Sequence, residues 1–537
     1  MTARITETGE VPALERSLDW VDGVIYAVDQ RALPGEFRIV RMTTVDEVIA
    51  AIETLTVRGA PAIGAAGALA VALSVRAHRG DAAAVTADAE RIVAARPTAV
   101  NLAWAVRRVC AYLAQGPDAV LDAALALLTE DEQVNRTMAA RAADAVSTMA
   151  GRHRLRVLTH CNTGRLATVA WGTALGAIRE LAQRGRLESV LVGETRPLLQ
   201  GARLTAWELA EADIPLRICV DSASSAAIAG GLVDCVLVGA DRITAHFDVA
   251  NKIGTYPLAL AAARAGIPFV VVAPESTMDA TIIDGAAITI EERAAGEVTS
   301  VAGHPVAPEG SAAYNPAFDV TPRDLVTAVV TERRTVWPAL GYGLPDMAAQ
   351  LHRRGWLDGT AGNLSVRVPG TGDALITASG RSKGALTARD LVLVDAETGA
   401  AVGYPDQRPS AEVSIHAALY QIFPDCGAVV HAHPPHATLV ATLAQRPAVQ
   451  FDDFEIVKGF GPRRNGGFEV PVLPNHDDVR RIAAELRARL DHHSAPAVLI
   501  DRHGATVWGS DLETARNRME CLEMLCGLHL RTRGGQP

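Results

Sequence analysis

Five short apolar runs recur through the middle of the chain, and stretches with helical character separate them. Repeated β-α units of this kind form a parallel sheet that helices cover on both faces. The pattern therefore predicts an α/β fold with a doubly wound, Rossmann-like sheet over residues 151–334. The runs are L-R-V-L-T (155–159), S-V-L-V-G (189–193), L-R-I-C-V (216–220), C-V-L-V-G (235–239) and F-V-V-V-A (269–273).

The sequence on either side of this sheet predicts the other domains. An alanine-rich, mostly helical pattern precedes it, so we expect residues 1–150 to form a helical N-terminal subdomain. T-P-R-D (321–324) combines an N-cap threonine with a proline at the first helical position, which predicts a helix to about Arg334. Two prolines and two glycines predict a linker over 335–345. Residues 346–537 then form a second α/β unit.

Polar side chains follow all five predicted strands at the point where each strand ends. In open parallel sheets, ligands bind beyond the carboxyl ends of the strands. A cysteine in such a place is more often a packed thiol, and an aspartate is often only a helix N-cap. Five coincidences at one edge nevertheless favour a functional site. The segments are 160–164, 194–196, Asp221, 241–242 and 274–277.

Charge and cysteine content narrow the class of protein. A net charge of −10 over 537 residues argues against nucleic-acid binding, which needs a basic face. Seven widely spaced cysteines without a C-x-x-C motif indicate reduced thiols in a cytoplasmic enzyme. The uncharged stretch 59–75 contains Pro61 and several glycines, so we expect a buried loop and helix there and no membrane span.

A second candidate site lies on the apolar strand G-A-V-V-H-A-H (427–433). Residues i and i+2 of a strand face the same side, so the imidazoles of His431 and His433 point together. His503 ends another apolar strand, A-V-L-I-D-R-H-G. Three such ligands form an open zinc site with one position left for substrate. The H-x-H pattern alone is more often a pair of core or surface histidines.

Seven motifs in the first part of the chain resemble methylthioribose-1-phosphate isomerases, over about residues 15–335. They are T-V-R-G-A-P-A-I-G (56–64), R-P-T-A-V-N-L (96–102), T-H-C-N-T-G (159–164), E-T-R-P-L-L-Q-G-A-R-L (194–204), G-A-D-R-I (239–243), N-K-I-G-T-Y (251–256) and F-D-V-T-P (318–322). The resemblance implies a catalytic pair, Cys161 and Asp241, and no metal or cofactor in this domain. The substrate-binding residues that it implies are Arg58, Gly59, Ala60, Arg96, Gln200, Asn251 and Lys252.

The implied isomerase chemistry suits these residue types. The substrate is a glycosyl phosphate, and opening its ring requires protonation of the ring oxygen, which suits an aspartate whose pKa is raised by burial. Hydrogen then moves from C2 to C1 beside Cys161, as a proton or as hydride. His246-Phe247 replaces the family's usual Asn-Gly turn, which leaves the 5-substituent of the substrate open. Regulatory subunits of a guanine-nucleotide exchange factor in translation initiation share this fold, so a non-catalytic binding module is the competing interpretation.

Motifs in the second part resemble the class II aldolase superfamily, over about residues 345–532. They are G-T-A-G-N-L-S-V-R (359–367), T-A-S-G-R-S-K-G (377–384), P-S-A-E-V-S-I-H (409–416), V-H-A-H (430–433) and R-H-G-A-T-V-W-G (502–509). The resemblance implies that Zn²⁺ is bound by His431, His433 and His503. The phosphate cradle that it implies consists of Gly362, Asn363, Ser379 and Gly380.

The reaction at this zinc site has two interpretations. F-E-I-V-K-G (454–459) resembles methylthioribulose-1-phosphate dehydratases, whose acid/base glutamate falls on Glu455. Glu412 matches the catalytic glutamate of the superfamily's aldolases, and we count it among the substrate-binding residues. A dehydratase would lose the C4 hydroxyl as water. An aldolase would break the C3–C4 bond and release dihydroxyacetone phosphate and an aldehyde.

The two resemblances together imply a bifunctional enzyme of methionine salvage. The first half would convert 5-methylthioribose 1-phosphate to 5-methylthioribulose 1-phosphate, and the second would dehydrate that product to 2,3-diketo-5-methylthiopentyl 1-phosphate. The expected partners are small sugar phosphates, without nucleic acid or membrane. Relatives of both halves form dimers or tetramers, so we also expect a homo-oligomer.

Overall fold

The computed structural model describes residues 5–6, 9–10, 16–96, 100–301, 303–368, 371–387, 390–402, 407–451, 454–460 and 468–533. The chain divides into two compact units, Met1–Val336 and Trp337–Pro537. Each unit has a hydrophobic core of its own.

The first part of unit 1 combines small antiparallel sheets with five helices. The strands are β1 (Ile5–Thr6), β2 (Gly9–Glu10), β3 (Leu18–Val21), β4 (Val24–Val28) and β5 (Ile39–Met42). The helices are α1 (Val45–Glu53), α2 (Ala60–Ala77), α3 (Ala82–Ala94), α4 (Val100–Cys110) and α5 (Pro117–Met149). The prediction of a helical subdomain missed the sheet β3-β4-β5, where short β-branched and aromatic runs pair with one another.

Helix α2 is long and apolar enough to span a membrane by length and composition alone. In the structure, 78% of this helix is buried inside the protein. Its alanine, valine and leucine side chains belong to the core of unit 1. The helix therefore packs as a core helix, as we expected for this stretch.

The central sheet of unit 1 has seven strands. They are β6 (Leu155–Thr159), β7 (Leu187–Gly193), β8 (Leu216–Cys219), β9 (Cys235–Val238), β12 (Phe269–Val272), β17 (Ala328–Val330) and β18 (Thr335–Val336). Their order is β18-β17-β12-β9-β6-β7-β8, and all neighbours are parallel except β17 and β18. The helices that accompany this sheet are α6 (Ala174–Gln183), α7 (Ala206–Glu211), α8 (Asp221–Ala229) and α9 (Thr255–Ala265). The prediction of a doubly wound sheet is confirmed.

This strand order fixes where a ligand can bind. The chain leaves β6 for β7 and β8 on one side, and then returns to β9 on the other side of β6. The carboxyl ends of β6 and β9 therefore meet at the topological switch point, the usual binding crevice of open α/β sheets.

A smaller four-stranded sheet of unit 1 has the order β13-β10-β11-β16. Its strands are β10 (Arg242–Thr244), β11 (Val249–Lys252), β13 (Met278–Asp279) and β16 (Phe318–Thr321). Because β10 and β11 follow β9 closely in the chain, their residues lie beside its carboxyl end. Helix α10 (Gly296–Thr299) and the hairpin of β14 (Ser300–Val301) and β15 (His304–Pro305) complete the unit.

The prediction of a helix from Thr321 to about Arg334 was wrong. Thr321 ends β16, a single 3₁₀ turn spans Arg323–Leu325, and β17 follows. The T-P-R-D motif starts that one turn but cannot extend it. Val329 and Val330 are fully buried between β12 and β18, and β-branched side chains fit such a strand better than a helix.

Segment 335–345, predicted to be a linker, carries regular structure. Its first two residues form β18, and helix α11 (Pro338–Arg353) begins two residues later. Pro338 lies in the first turn of this helix, where a backbone N–H group has no hydrogen-bond partner within the helix, so proline costs no hydrogen bond there. Pro338 therefore marks a helix start, and Gly341, Gly343 and Pro345 lie inside the helix.

Unit 2 is built on an eight-stranded, mainly antiparallel sheet in the order β21-β20-β19-β22-β26-β25-β24-β23. The strands are β19 (Asn363–Arg367), β20 (Asp373–Thr377), β21 (Leu391–Asp395), β22 (Ala428–Ala432), β23 (Ala448–Phe451), β24 (Phe468–Leu473), β25 (Ala497–Ile500) and β26 (Gly504–Gly509). The helices are α11, α12 (Val413–Ile422), α13 (Pro435–Leu443), α14 (Val479–Arg489) and α15 (Leu512–Arg533).

The two faces of the unit 2 sheet pack into two apolar cores. In β22, Ala428, Val430 and Ala432 contribute to the core with α11, α13 and α15, whereas Val429 contributes to the core with α12 and α14. This alternation puts His431 on the α12 face.

Candidate active sites

One cavity of about 430 Å³ in unit 1 brings together all the site residues predicted for this half. They are Arg58, Gly59, Ala60, Arg96, Cys161, Gln200, Asp241, Asn251 and Lys252. Cys161 follows β6 and Asp241 follows β9, so two neighbouring strands deliver them to the topological switch point.

The surroundings of Cys161 and Asp241 favour the neutral form of each group. Burial raises the pKa of the Cys161 thiol, and the positive charges of Arg58 and Lys252 only partly offset this effect. Asp241 is accessible from the cavity, yet protein surrounds its side chain. The resulting desolvation raises the pKa of its carboxyl group, although Lys252, Arg58 and Arg96 oppose this shift. A carboxyl group with a raised pKa keeps its proton to higher pH, as a proton donor requires.

The N-terminus of α2 forms one wall of this cavity. Backbone N–H groups at a helix N-terminus attract anions. Gly59 has a φ of 96°, and a Cβ atom at this position would lie 2.1 Å from the carbonyl oxygen of Ala167. Arg58 donates from Nη2 to Oδ1 of Asn162 at 2.6 Å, which holds its guanidinium beside the helix end. This combination suits a phosphate group.

Three other binding candidates present polar atoms to the cavity. Oε1 of Gln200 is buried and has no hydrogen-bond partner among the described residues, so it is available to a substrate hydroxyl. Nδ2 of Asn251 donates to Oγ1 of Thr255 at 3.0 Å. Burial lowers the pKa of the Arg96 guanidinium. Glu291 and Arg293 also line the cavity, and no motif in the sequence pointed to them.

The departure from the family at His246-Phe247 lies in the turn between β10 and β11. Phe247 has a φ of 68°, a left-handed conformation that glycine or asparagine adopts more easily. Its side chain packs on the core around β9 and β12. Both residues lie outside the cavity lining.

The three histidines predicted as zinc ligands form one cluster in unit 2. The ligand atoms of His431, His433 and His503 all lie within 4.8 Å of one another. Nδ1 of His431 is 2.9 Å from Oγ1 of Thr506, a contact that turns Nε2 of the same ring toward the cluster. Burial lowers the pKa of His431 to about 3 and lowers that of His433 as well. Neutral imidazoles are the form that binds metal, so the cluster fits a zinc ion.

Glu412 is the carboxylate that lies against this cluster. Its Oε1 is 3.1 Å from Nε2 of His503, and its Oε2 is 3.4 Å from Nε2 of His431. Burial alone would raise the pKa of Glu412, but its polar contacts with His431, His503 and Asn363 outweigh burial and hold the pKa well below its usual range. Nδ2 of Asn363 also donates to Oε2 at 2.6 Å. Glu412 is therefore a fixed, ionised acceptor.

A buried hydrogen-bond chain supports Glu412 from behind. Oδ1 of Asn363 lies 2.5 Å from Nε2 of His416, whose Nδ1 lies 2.6 Å from Oγ of Ser365. Oγ of Ser365 lies 2.7 Å from the hydroxyl of Tyr420. Nδ2 of Asn363 donates to Glu412, and its Oδ1 can only accept, so Nε2 of His416 must donate to it. Nδ1 of His416 then accepts from Ser365, whose Oγ accepts from the hydroxyl of Tyr420. Burial lowers the pKa of His416 to about 4, which agrees with the neutral ring that this direction requires.

Glu455 lies at the start of the 3₁₀ helix Glu455–Phe460. Its side chain is exposed and forms an ion pair with Lys458. The carboxylate that the structure shows against the histidines is thus Glu412. Sequence motifs had placed both glutamates at the zinc site.

The predicted phosphate cradle occupies two loops that one buried lysine joins. Nζ of Lys383 donates to the carbonyl oxygens of Thr360, at 3.0 Å, and of Arg381, at 2.9 Å. The first loop leads into Gly362 and Asn363, and the second follows Ser379 and Gly380. Gly362 has a φ of 71°, and a Cβ atom there would collide with Leu357. The T-A-S-G-R-S-K-G motif contains Lys383, but nothing in the motif shows that this charge is buried.

Comparisons with known proteins assign each unit to a protein family. The model of the Initiation factor 2 subunit family matches residues 56–337, and that of the Class II Aldolase and Adducin N-terminal domain matches residues 343–530. A protein of Nocardia farcinica (strain IFM 10152), named "Probable bifunctional methylthioribose-1-phosphate isomerase/methylthioribulose-1-phosphate dehydratase", is 56% identical over 536 residues, 97% of this chain and 96% of that protein. The chain belongs to this bifunctional family.

Unit 1 also resembles proteins that consist of this half alone. Methylthioribose-1-phosphate isomerase of Anaeromyxobacter sp. (strain Fw109-5) is 50% identical over 327 residues, 61% of this chain and 95% of that protein. The crystal structure of 5-methylthioribose 1-phosphate isomerase from Pyrococcus horikoshii OT3 is 39% identical, covers 61% of this chain and 93% of its own, and has a TM-score of 0.57. The interpretation of the chain as an isomerase-like half fused to a class II aldolase-like half is confirmed.

Proposed function

We propose that this chain catalyses two consecutive reactions on one sugar phosphate. Unit 1 isomerises 5-methylthioribose 1-phosphate to 5-methylthioribulose 1-phosphate, and unit 2 dehydrates that ketose to 2,3-diketo-5-methylthiopentyl 1-phosphate. The observation that carries the proposal is the 56% identity to a bifunctional relative across both halves. The cavity in unit 1 and the histidine cluster in unit 2 supply a chemically suitable group for each step.

In unit 1, we assign the proton transfer to Asp241. Its raised pKa keeps a proton available for the ring oxygen of the substrate, and ring opening follows. Cys161 lies in the same cavity and takes the place beside C1 and C2, where hydrogen moves. Arg58 and the N-terminus of α2 bind the phosphate, so the reacting carbons are held at the switch point.

In unit 2, His431, His433 and His503 would hold a zinc ion, which supplies a Lewis acid for the C2 carbonyl when bound. Glu455 is the acid/base that the dehydratase-like motif assigns. Aldol cleavage is the second candidate, because Glu412 is the carboxylate in contact with the histidines. Glu455→Gln should stop water loss while the zinc content stays unchanged, whereas an unchanged rate would reject the assignment.

Complementary variants test the division of labour. Cys161→Ser and Asp241→Asn should each abolish isomerisation while the protein still turns over supplied 5-methylthioribulose 1-phosphate. His433→Ala should do the reverse, and the zinc content should fall with the second activity. A near-wild-type isomerase rate in either unit 1 variant would refute the assigned roles, and a protein without turnover of any 5-substituted ribose 1-phosphate would favour a binding module.

The proposal also covers the cellular compartment, the ligands and the oligomeric state of the enzyme. All seven cysteines are free thiols, which agrees with a reducing, cytoplasmic compartment. The substrates are small sugar phosphates, and the acidic net charge is unsuited to nucleic acid. We also propose a homo-oligomer, which light scattering of the purified protein would test.

A further inference from the structure

The backbone of Cys161 adopts a conformation that its side chain disfavours. Its φ is 60°, in the left-handed region, where the Cβ atom of an L residue crowds the backbone. Thr195, at the carboxyl end of the neighbouring strand β7, also lies in this region with a φ of 66°. Such conformations persist only where surrounding contacts fix them. The contacts that fix Cys161 are therefore informative about function.

One of these contacts involves the N–H group of Cys161. This N–H donates to Oγ1 of Thr195 at 2.9 Å. The Thr195 hydroxyl donates in turn to the carbonyl oxygen of Gly193 at 3.0 Å. Thr195 is fully buried, so water cannot replace its hydroxyl as the acceptor.

The other contact involves the carbonyl group of Cys161. Oγ1 of Thr205 donates to this carbonyl oxygen at 2.7 Å, and it accepts from Nδ2 of Asn162 at 3.2 Å. Thr205 is 1% exposed and ends the π-helical turn Gly201–Thr205. Such turns are rare and often mark functional sites. Two threonine hydroxyls from one segment of the chain thus bind the two ends of the same residue.

We propose that Thr195 and Thr205 are positioning residues of the isomerase half, which together hold Cys161 in its left-handed conformation and its thiol in the cavity. The proposal rests on the proposed function, because that function gives Cys161 its role. Both threonines lie outside the residues that line the cavity. Neither threonine therefore acts through contact with substrate. Loss of the Thr195 hydroxyl, which acts through Cys161, should lower kcat and leave KM within about twofold.

Serine and alanine variants isolate the two hydroxyl groups. Thr195→Ser and Thr195→Ala both lose the methyl group and differ only in the hydroxyl. The serine variant should retain most of the isomerase kcat, and the alanine variant should lose about tenfold to a hundredfold, because a buried N–H group is left without an acceptor. If Thr195→Ala does not fold, Thr195→Val is compared with the wild-type protein, because valine keeps the size of threonine and lacks only the hydroxyl.

Hydrogen–deuterium exchange at the Cys161 amide provides a readout that does not depend on turnover. The amide should exchange at least about tenfold faster in Thr195→Ala than in Thr195→Ser, because only the serine retains an acceptor. Thr205 contacts the carbonyl group, so Thr205→Ala should lower kcat relative to Thr205→Ser and leave this exchange rate unchanged. Equal kcat and equal exchange in the serine and alanine variants at position 195 would overturn the proposal.

Thr321 offers a matched control in the same unit. It is fully buried, and its Oγ1 has no hydrogen-bond partner in the part of the chain that the structure describes. Thr321→Ser and Thr321→Ala should therefore show the same kcat and the same exchange at Cys161. If the wild-type protein lacks isomerase activity, the proposed function fails, while the exchange comparison at position 195 still decides whether the threonine holds Cys161.

Discussion

Replacing Gly59 by alanine should damage unit 1 more than the same change at Gly116. Both glycines directly precede a helix, α2 or α5, and their φ angles are 96° and 100°. Alanine with a positive φ costs about 1–2 kcal/mol at either position. A Cβ atom at Gly116 meets nothing within 4 Å, whereas at Gly59 it lies 2.1 Å from the carbonyl oxygen of Ala167.

The collision at Gly59 is with backbone and not with a flexible side chain, so relief requires movement of the chain. The carbonyl group of Ala167 also accepts the N–H of Ala62 at 3.4 Å, which ties it to the first turn of α2. Such overpacking adds about 1–3 kcal/mol. The expected losses in the free energy of unfolding are therefore about 2–5 kcal/mol for Gly59→Ala and about 1–2 kcal/mol for Gly116→Ala.

Urea-induced unfolding measures this difference in stability. Proteolysis at each urea concentration, with identification of the peptides released from each unit, monitors the unfolding of the two units separately. The midpoint for unit 1 should fall further in Gly59→Ala than in Gly116→Ala, and the midpoint for unit 2 should not change in either. Because the N-terminus of α2 lines the cavity, Gly59→Ala should also raise the isomerase KM, and Gly116→Ala should not. Equal midpoints in the two variants would refute the argument from the 2.1 Å contact.

Three further predictions concern pH, the buried chain and the metal. Burial raises the pKa of Asp131 to about 7, above the value near 3.8 that it has in the unfolded chain. The contribution of Asp131 to stability is therefore present below pH 3.8 and is lost as pH rises through 7. Asp131→Asn should flatten the dependence of Tm on pH between 4 and 8, and an unchanged slope would contradict this. His416→Leu should lower the second activity by about tenfold to a hundredfold with zinc still bound, because Asn363 loses the hydrogen-bond donor that orients it. A wild-type rate in this variant would reject the role of the buried hydrogen-bond chain. Dialysis against a chelator should abolish the second activity and spare isomerisation; equal loss of both would argue against a zinc site confined to unit 2.

The position of the unit 1 site could be predicted from the sequence, because it depends on short segments of the chain that are recognisable one by one. Each strand before a polar segment is a short apolar run, and the rule for doubly wound sheets sends the ends of such strands to one edge. Cys161 and Asp241 therefore converge as expected. The error at 321–334 has the same origin, because T-P-R-D is a local helix signal that the burial of Val329 and Val330 in the sheet overrides.

Contacts between distant segments could not be predicted in this way. Ser365 lies on β19, whereas His416 and Tyr420 lie on α12, and they meet only because that helix packs on the sheet in one register. Thr195 and Thr205 belong to or adjoin a recognisable motif, yet their role depends on the backbone conformation of Cys161. No pattern of residue types encodes a φ angle for a cysteine.

Product analysis with 5-methylthioribose 1-phosphate as the only substrate shows whether this one chain carries out two consecutive reactions. The purified, zinc-loaded protein should convert it through 5-methylthioribulose 1-phosphate to the 2,3-diketo phosphate, with one water released for each substrate consumed. Mass spectrometry and NMR would identify both compounds in time order. Stoichiometric dihydroxyacetone phosphate in place of the diketone would contradict the account of unit 2, and failure to form the ketose phosphate would contradict the account of unit 1.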